Sequence, residues 1–421
     1  MDYISFLKLN LNIRSQSYKT CYNNTNQTKE VTALDITLSQ KMNEFGESIF
    51  NELANYKKQK LREGHEMIDL SVGSPDLPPP PYVMDVLTSH VQDPSLYGYS
   101  LTGTDELYEA ISVYYSNRFD VSVHKENEVL MVMGSQDGLV HFPMVFANPG
   151  DVVLVPDPGY TAYAAGIALS GATPYGMPLK EENGFLPDLD AIPDDVCQKA
   201  KLMILNFPGN PVPAMATESF FKKVIEFAKK HQIIVLHDFA YSELYYEEKP
   251  ISFLSVEGAK EVGVEFNSLS KSFNMAGCRI GYIVGNQEII AAVNRLKSNL
   301  DYGVFLPIQK AAIAALGETS SFSEELRQTY KERRDILVKG LAEIGWHVDS
   351  PKASMFIWAK VPAGFTSTDF TYHLIDEAGI VVTPGNAFGP SGEGYVRIGL
   401  VQNEATLEKA VQRLKEITLL K

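Results

Sequence analysis

Little in this chain supports the common short-motif readings. Three cysteines occur in 421 residues, Cys21, Cys197 and Cys278. They lie far apart and lack CxxC or CxxxxC spacing, which leaves a disulfide framework or a zinc site without support. No apolar run approaches the ~20 residues that a membrane-spanning helix needs. Net positive charge is missing too: 52 acidic residues against 37 basic ones give a formal charge of −15. That balance argues against a nucleic-acid surface and suits an acidic enzyme of the cytoplasm. The sequence has no GxGxxG after a strand, no GxxxxGKS or GxxxxGKT, no HExxH and no GxSxG. Dinucleotide, P-loop, zincin and nucleophile-elbow readings lose their main basis.

The composition that remains, 45% hydrophobic and 21% charged, is that of an ordinary globular protein with room for two or three domains. The beginning differs. "YNNTNQTKE" is polar and Asn/Thr-rich, and "MDYISFLKLNLNIR" lacks a basic start followed by a long apolar stretch, so no secretory signal is read. The Asn-x-Thr matches at Asn23 and Asn26 are chance products of such a composition. Residues 1–41 are expected to be an irregular, flexible leader, with Met42 an alternative start.

From about residue 100 short apolar runs alternate with helical stretches. "EVLMVMGS" (128–135), "DVVLVPD" (151–157), "KLMILNFP" (201–208) and "QIIVLHD" (232–238) are β-rich and end in Gly, Pro, Asp or Asn. Between the last two, "TESFFKKVIEFAKKH" (217–231) places Phe220, Phe221, Val224, Ile225 and Ala228 on one helical face. Apolar strands alternating with helices imply an α/β fold with a mostly parallel sheet covered on both sides. Ligands gather at the carboxyl ends of such strands, and Ser135, Tyr160, Asn210 and Asp238 all fall just past one. Later, "MFIWAKVP", "GIVVTPG" and "GYVRIGL" indicate a smaller sheet capped by "NEATLEKAVQRLKEI". The expected division is a segment 42–75 packing on the small domain, a large domain 76–310 and a small domain 311–421.

One stretch carries the chemistry. "SLSKSFNMAGCR" (268–279) puts Lys271 among hydroxyls, followed by Arg279, between two apolar runs. Taken alone it reads as a solvated turn. Elsewhere "MGSQDGL" sets Gly134, Ser135 and Gln136 at a strand-to-helix turn, where free N–H groups favour a phosphate. "HDFAYSEL" gives Asp238 with Tyr241 a turn later, "NFPGNP" gives Asn210, and "EGYVRIGL" places Arg397 on an apolar strand, a costly position for an unpaired guanidinium.

Together these motifs resemble the class I/II aminotransferases of pyridoxal-5′-phosphate (PLP) fold type I, over roughly residues 45–420. The resemblance implies a large domain with a mostly parallel seven-stranded sheet between helices and a smaller α+β domain. It implies that Lys271 holds the cofactor as a Schiff base, that Asp238 pairs with the pyridine nitrogen, and that Tyr241 and Asn210 bond its 3′-oxygen. Ser135, Gln136 through its backbone, Ser268, Ser270 and Arg279 would grip the phosphate, and Tyr160 would stack on the ring. Arg397, helped by Asn210 and the backbone of Gly73, would take the substrate α-carboxylate. A tyrosine of "LYGYSLTG", Tyr99 first and Tyr97 second, would reach the phosphate of a neighbouring subunit in a homodimer with shared sites.

Two departures stand out. The family's Asn-Pro-Thr-Gly turn is Asn210-Pro211-Val212-Pro213 here, and the spacing from the tyrosine to Gly103 is one residue off. "SNLDYGVFLPIQKAAIAAL" looks most like the bacterial branch of aspartate, alanine and LL-diaminopimelate aminotransferases. The expected activity is ping-pong transfer between an amino acid and a 2-oxo acid, with glutamate and 2-oxoglutarate as one pair, and with neither nucleic acid nor membrane as a partner. A cystathionine β-lyase-like reaction and a non-catalytic PLP-binding regulator are the alternatives.

Overall fold

The structure is a computed structural model, and it describes residues 36–46, 48–317 and 320–417. The expected leader lies outside the described residues except for 36–41, where a short 3-10 turn begins at Gln40. The described strands are β1 (Ile68–Asp69), β2 (Val129–Val132), β3 (Val152–Asp157), β4 (Thr173–Pro178), β5 (Ala200–Asn206) and β6 (Ile234–Asp238). They continue with β7 (Gly263–Ser268), β8 (Gly281–Gly285), β9 (Phe356–Lys360), β10 (Ile380–Val381), β11 (Thr383–Pro384) and β12 (Tyr395–Gly399).

Strands β2 to β8 form one seven-stranded sheet in the order β2-β8-β7-β6-β5-β3-β4. Only β8 runs against its neighbours, β2 and β7; every other pairing is parallel. Alternate residues of β5 feed different cores: Met203 and Leu205 join one apolar cluster, Leu202 and Ile204 another. A sheet buried on both faces needs such a continuous apolar run. Each fully buried Leu or Ile contributes about 1.5–3 kcal/mol relative to exposure.

Local chemistry sets the covering helices. Glu218–His231 starts where the Thr217 hydroxyl accepts from the Phe220 N–H (3.2 Å) and ends in Lys229, Lys230 and His231 before Gln232 turns left-handed at φ +55°. Those charges suit the helix dipole at each end. Its buried face is Phe220, Phe221, Val224, Ile225 and Ala228, the stripe read from the sequence.

A second body is built on the antiparallel sheet β11-β12-β9. Its core includes Phe356, Ile357, Val396 and Ile398, and the helices Phe322–Glu343, Ser367–Ala378 and Glu404–Glu416 pack around it. The earlier part of the chain joins this body: β1 pairs with β10 in parallel, Ile68 opposite Ile380. Helix Ile49–Arg62 sets Leu53 against Ile375 and Val381, and its Tyr56 donates to Asp376 (2.8 Å). The boundary expected at 310/311 falls inside helix Leu306–Leu316, whose Ala311, Ala312 and Ala315 pack in the large core. Small residues let that helix approach its neighbours closely, so the change of body comes after it, at the helix Phe322–Glu343.

Where that long helix crosses Glu404–Glu416, Gly340 makes room: a Cβ there would stand 2.5 Å from both methyls of Val411. Alanine would gain about 1 kcal/mol of helix propensity, but overpacking against a stiff β-branched side chain costs about 1–3 kcal/mol. Gly340→Ala is therefore expected to lower the urea midpoint at an unchanged m-value. A raised midpoint would show that the crossing has slack.

Candidate active site

The carboxyl edge of the large sheet assembles the site. There β7 ends in the one-turn helix Leu269–Ser272, where the Ser268 hydroxyl accepts from the Ser270 N–H (3.2 Å). Ser268, Ser270 and Ser272 are buried, so this is no surface turn. The Lys271 ammonium donates to the Gly73 carbonyl (2.5 Å) on the loop after β1. Burial, with Arg397 and then Arg279 adding like-charge repulsion, lowers its pKa to about 8; Asp238 opposes this. A lysine shifted this way supplies neutral amine near physiological pH.

Asp238 ends β6 and is 4% exposed. Its carboxylate accepts from the Tyr163 hydroxyl (2.7 Å) and the Ala240 N–H (3.2 Å). Burial raises its pKa, and these donors, together with His237 and Lys271, work against that rise. Alongside, Asn206 sits opposite Asp238 in register, donates to the Asp238 carbonyl (2.8 Å) and accepts from the Asn210 N–H (2.8 Å). One asparagine thereby fixes the end of β6 and the turn that bears Asn210.

Gly134 precedes helix Ser135–Phe146 with φ +81°, a left-handed conformation that favours glycine. Space demands glycine as well, since a Cβ at this position would lie 2.5 Å from Arg279 Nη2. The guanidinium thus rests against the turn whose following N–H groups open the helix, and Arg279 Nη1 donates to the Ala276 carbonyl (3.0 Å). Nearby, the Tyr160 hydroxyl donates to Gln136 Oε1 (3.2 Å). Helix N-terminus, guanidinium and hydroxyls together form an anion receptor.

Arg397 comes from β12 of the other body and is 3% exposed. Its guanidinium donates to Asn210 Oδ1 (2.7 Å) and to the Ser71 carbonyl (2.6 Å), and lies over the rings of Phe356 (4.2 Å) and Phe388 (4.8 Å). Nε is buried without a partner. Burial brings its pKa down to about 10, so it stays cationic at neutral pH.

Two adjoining cavities of about 440 and 420 Å³ share Gly73, Tyr160 and Asn210. Ser135, Gln136, Asp238, Tyr241, Ser268, Ser270, Lys271 and Arg279 line the first, and Arg397 lines the second. Every candidate residue except Tyr99 is therefore gathered here. Tyr99 and its second choice Tyr97 are 84% and 62% exposed, packed on Tyr302 and Phe305 respectively, away from this chain's cavities. Tyr163 and Asn206 were missed. "PDPGYTAY" carried a signal for Tyr163, three residues after Tyr160; Asn206 needed the strand register.

A sequence profile described as aminotransferase class I and II matches residues 65–414. The chain belongs to the class I and II aminotransferases. LL-diaminopimelate aminotransferase of Aquifex aeolicus is 45% identical over 88% of this chain and 96% of that one; its Halothermothrix orenii counterpart is 44% identical over 87% and 95%. Among solved structures, substrate-bound BacF of Bacillus subtilis superposes with a TM-score of 0.88 at 40% identity, covering 91% of this chain and 98% of that chain. The protein is thus a PLP-dependent aminotransferase acting on amino and 2-oxo acids. No helix among the described residues is long and apolar enough to cross a membrane.

The electrostatics of this aminotransferase can be read without its cofactor. In cofactor-free protein, trapping of Lys271 by a small aldehyde and borohydride is expected to rise about tenfold per pH unit below 8, then level off. Arg397→Met removes a cation that disfavours the ammonium, so the inflection moves to higher pH. Peptide mass mapping across pH reads both; an unmoved inflection would leave burial and Arg279 as the causes.

Proposed function

We propose that this aminotransferase moves an amino group from an amino-acid donor to a 2-oxo acid in two half-reactions, with glutamate and 2-oxoglutarate as one pair. Likeness to its relatives makes LL-diaminopimelate the first donor to try for the other. The observation that carries the reading is the opposition, across adjoining cavities, of a lysine amine held near pKa 8 and a buried guanidinium whose Nε lacks a partner.

The residues fit PLP. An amine, a carboxylate and an anion receptor line one cavity, and the receptor's cradle at Gly134 is closed to any Cβ. Ser135, Gln136, Ser268, Ser270 and Arg279 would hold the phosphate, Tyr160 would cover the ring face, and Asn210 and Tyr241 would meet the 3′-oxygen. Bound PLP supplies an aldehyde for the amino nitrogen and a protonated ring that draws electrons from the substrate Cα. Asp238 would keep that ring nitrogen protonated, and Tyr163, which donates to Asp238, would hold the carboxylate's orientation. Arg397 binds the substrate α-carboxylate, a charge-assisted contact contributing about 1.5–3 kcal/mol. Lys271, as the neutral amine, would be the base for the Cα proton; such proton transfer typically contributes ~10²–10⁴-fold.

Tyr99 and Tyr302 pack on each other (4.8 Å) and both are exposed, as are Leu101 and Leu300 near them in sequence, which supports a homodimer in which Tyr99 reaches the partner's phosphate site. We place the enzyme in the cytoplasm on its acidic balance.

Absorbance spectra with amino acids added singly test the reading. Glutamate is expected to convert the yellow holoenzyme to the pyridoxamine form without added 2-oxo acid. Pyruvate and ammonia from cystathionine without an acceptor would instead make it a lyase. Lys271→Ala is expected to lose turnover by at least ~10²-fold while keeping some cofactor; near-normal turnover would remove the lysine's role. Tyr99→Phe is expected to weaken cofactor retention only while sedimentation shows a dimer.

A further inference from the structure

The second cavity holds a feature that the transamination chemistry does not use. Besides Arg397 and Tyr160, its ionisable lining side chains are Lys57 and Asp69, which pair with each other at 2.5 Å. Lys57 comes from helix Ile49–Arg62 and Asp69 from β1. Ser71 joins this pair to Arg397: its N–H (2.9 Å) and hydroxyl (2.6 Å) donate to Asp69 Oδ1, while its carbonyl accepts from Arg397 Nη2. One residue's span plus two hydrogen bonds sets guanidinium and carboxylate on the order of 8 Å apart. Phe50, Leu53, Ala54 and Val381 give the same cavity an apolar wall.

A tie between helix and strand is the plain reading of such a pair. Partly exposed ion pairs contribute only about 0–1 kcal/mol, and this helix is already fastened by Leu53, by Glu52 to Tyr372 and by Lys60 and Tyr56 to Asp376. Stability therefore gives little reason to place two charges on a cavity wall. Burial works against ionisation of Asp69, yet Lys57 and Ser71 outweigh it and hold its carboxyl below the ordinary value, so the cavity wall carries a carboxylate at neutral pH.

We infer that the Lys57–Asp69 pair is the receptor for the far end of the donor, and that this end is a second amino-acid head carrying both an ammonium and a carboxylate. A zwitterion can exchange with an ion pair charge for charge: Asp69 takes the ammonium, Lys57 takes the carboxylate, and a short methylene chain lies along the apolar wall. A head with one charge would leave one protein partner unpaired, which is the penalty that gives specificity. This inference rests on the aminotransferase reading above and deepens it by naming the two residues that would select the far end of the diaminopimelate donor proposed there.

The test compares first half-reactions of the holoenzyme with LL-diaminopimelate, lysine (lacking the distal carboxylate) and 2-aminopimelate (lacking the distal amine). The wild type is expected to prefer diaminopimelate over each by about 10- to 100-fold in kcat/KM. Lys57→Met is expected to abolish the preference over lysine while keeping that over 2-aminopimelate, and Asp69→Asn to do the reverse. The Kd for diaminopimelate in the Lys271→Ala background, where chemistry is stalled, is expected to weaken in parallel. Equal losses on all three donors, or an unmoved Kd, would overturn the assignment and leave the pair structural. A wild type that converts glutamate but does not prefer diaminopimelate overturns this inference and spares the aminotransferase reading; one that converts no amino acid overturns both.

Discussion

Two guanidinium groups and one carboxylate act on one half-buried lysine, and the signs of those charges decide what it can do. Desolvation alone disfavours an ammonium. Arg397 and Arg279 push in the same direction, while Asp238 pulls back, and Lys271 settles near pKa 8. In the proposed function the same three charges have a second use, each meeting an oppositely charged portion of cofactor or substrate. Pre-organised charge of this kind costs no rearrangement when the ligand arrives.

Holding those charges requires both bodies of the molecule. Asp238, Lys271 and Arg279 come from the large sheet, Arg397 from the smaller one. The loop after β1 spans them. Gly73 accepts from Lys271, and Asp76 meets the Arg333 fork at 2.8 and 3.0 Å. Pro78 accepts from Asn274 (3.2 Å), beside the lysine turn. Arg333 is itself buried and also meets Glu404 (3.1 Å), so two carboxylates compensate one desolvated charge. A short loop is thereby fixed from both sides.

Much of this was legible in the residue order because parallel strands carry strong local signals. Apolar runs ending in Gly, Pro, Asp or Asn marked β2, β3, β5 and β6, and their carboxyl ends drew attention to Ser135, Tyr160, Asn210 and Asp238. The helix at 218–231 was readable from its stripe. Other features depended on partners distant in sequence. Helix Leu306–Leu316 is rich in alanine, a pattern that says helix without saying which core it joins. Asn206 looks like strand filler until β5 and β6 align and bring its amide to Asp238; Tyr163 reaches that carboxylate from the helix Thr161–Ser170.

The sequence by itself determined the chemical identity of the site: an amine among hydroxyls, an arginine beyond it, and a strand-end carboxylate, in the order of one enzyme family. Local pattern sufficed because each of those motifs is contiguous. Tertiary structure alone decided what the lysine experiences, since its pKa follows from burial and from charges as distant along the chain as Arg397, and the contacts that hold the two cations, Lys271 to Gly73 and Arg397 to Ser71, span 198 and 326 residues. It alone placed Lys57 and Asp69 on the cavity wall, because no local signal distinguishes a surface ion pair from one that faces a ligand.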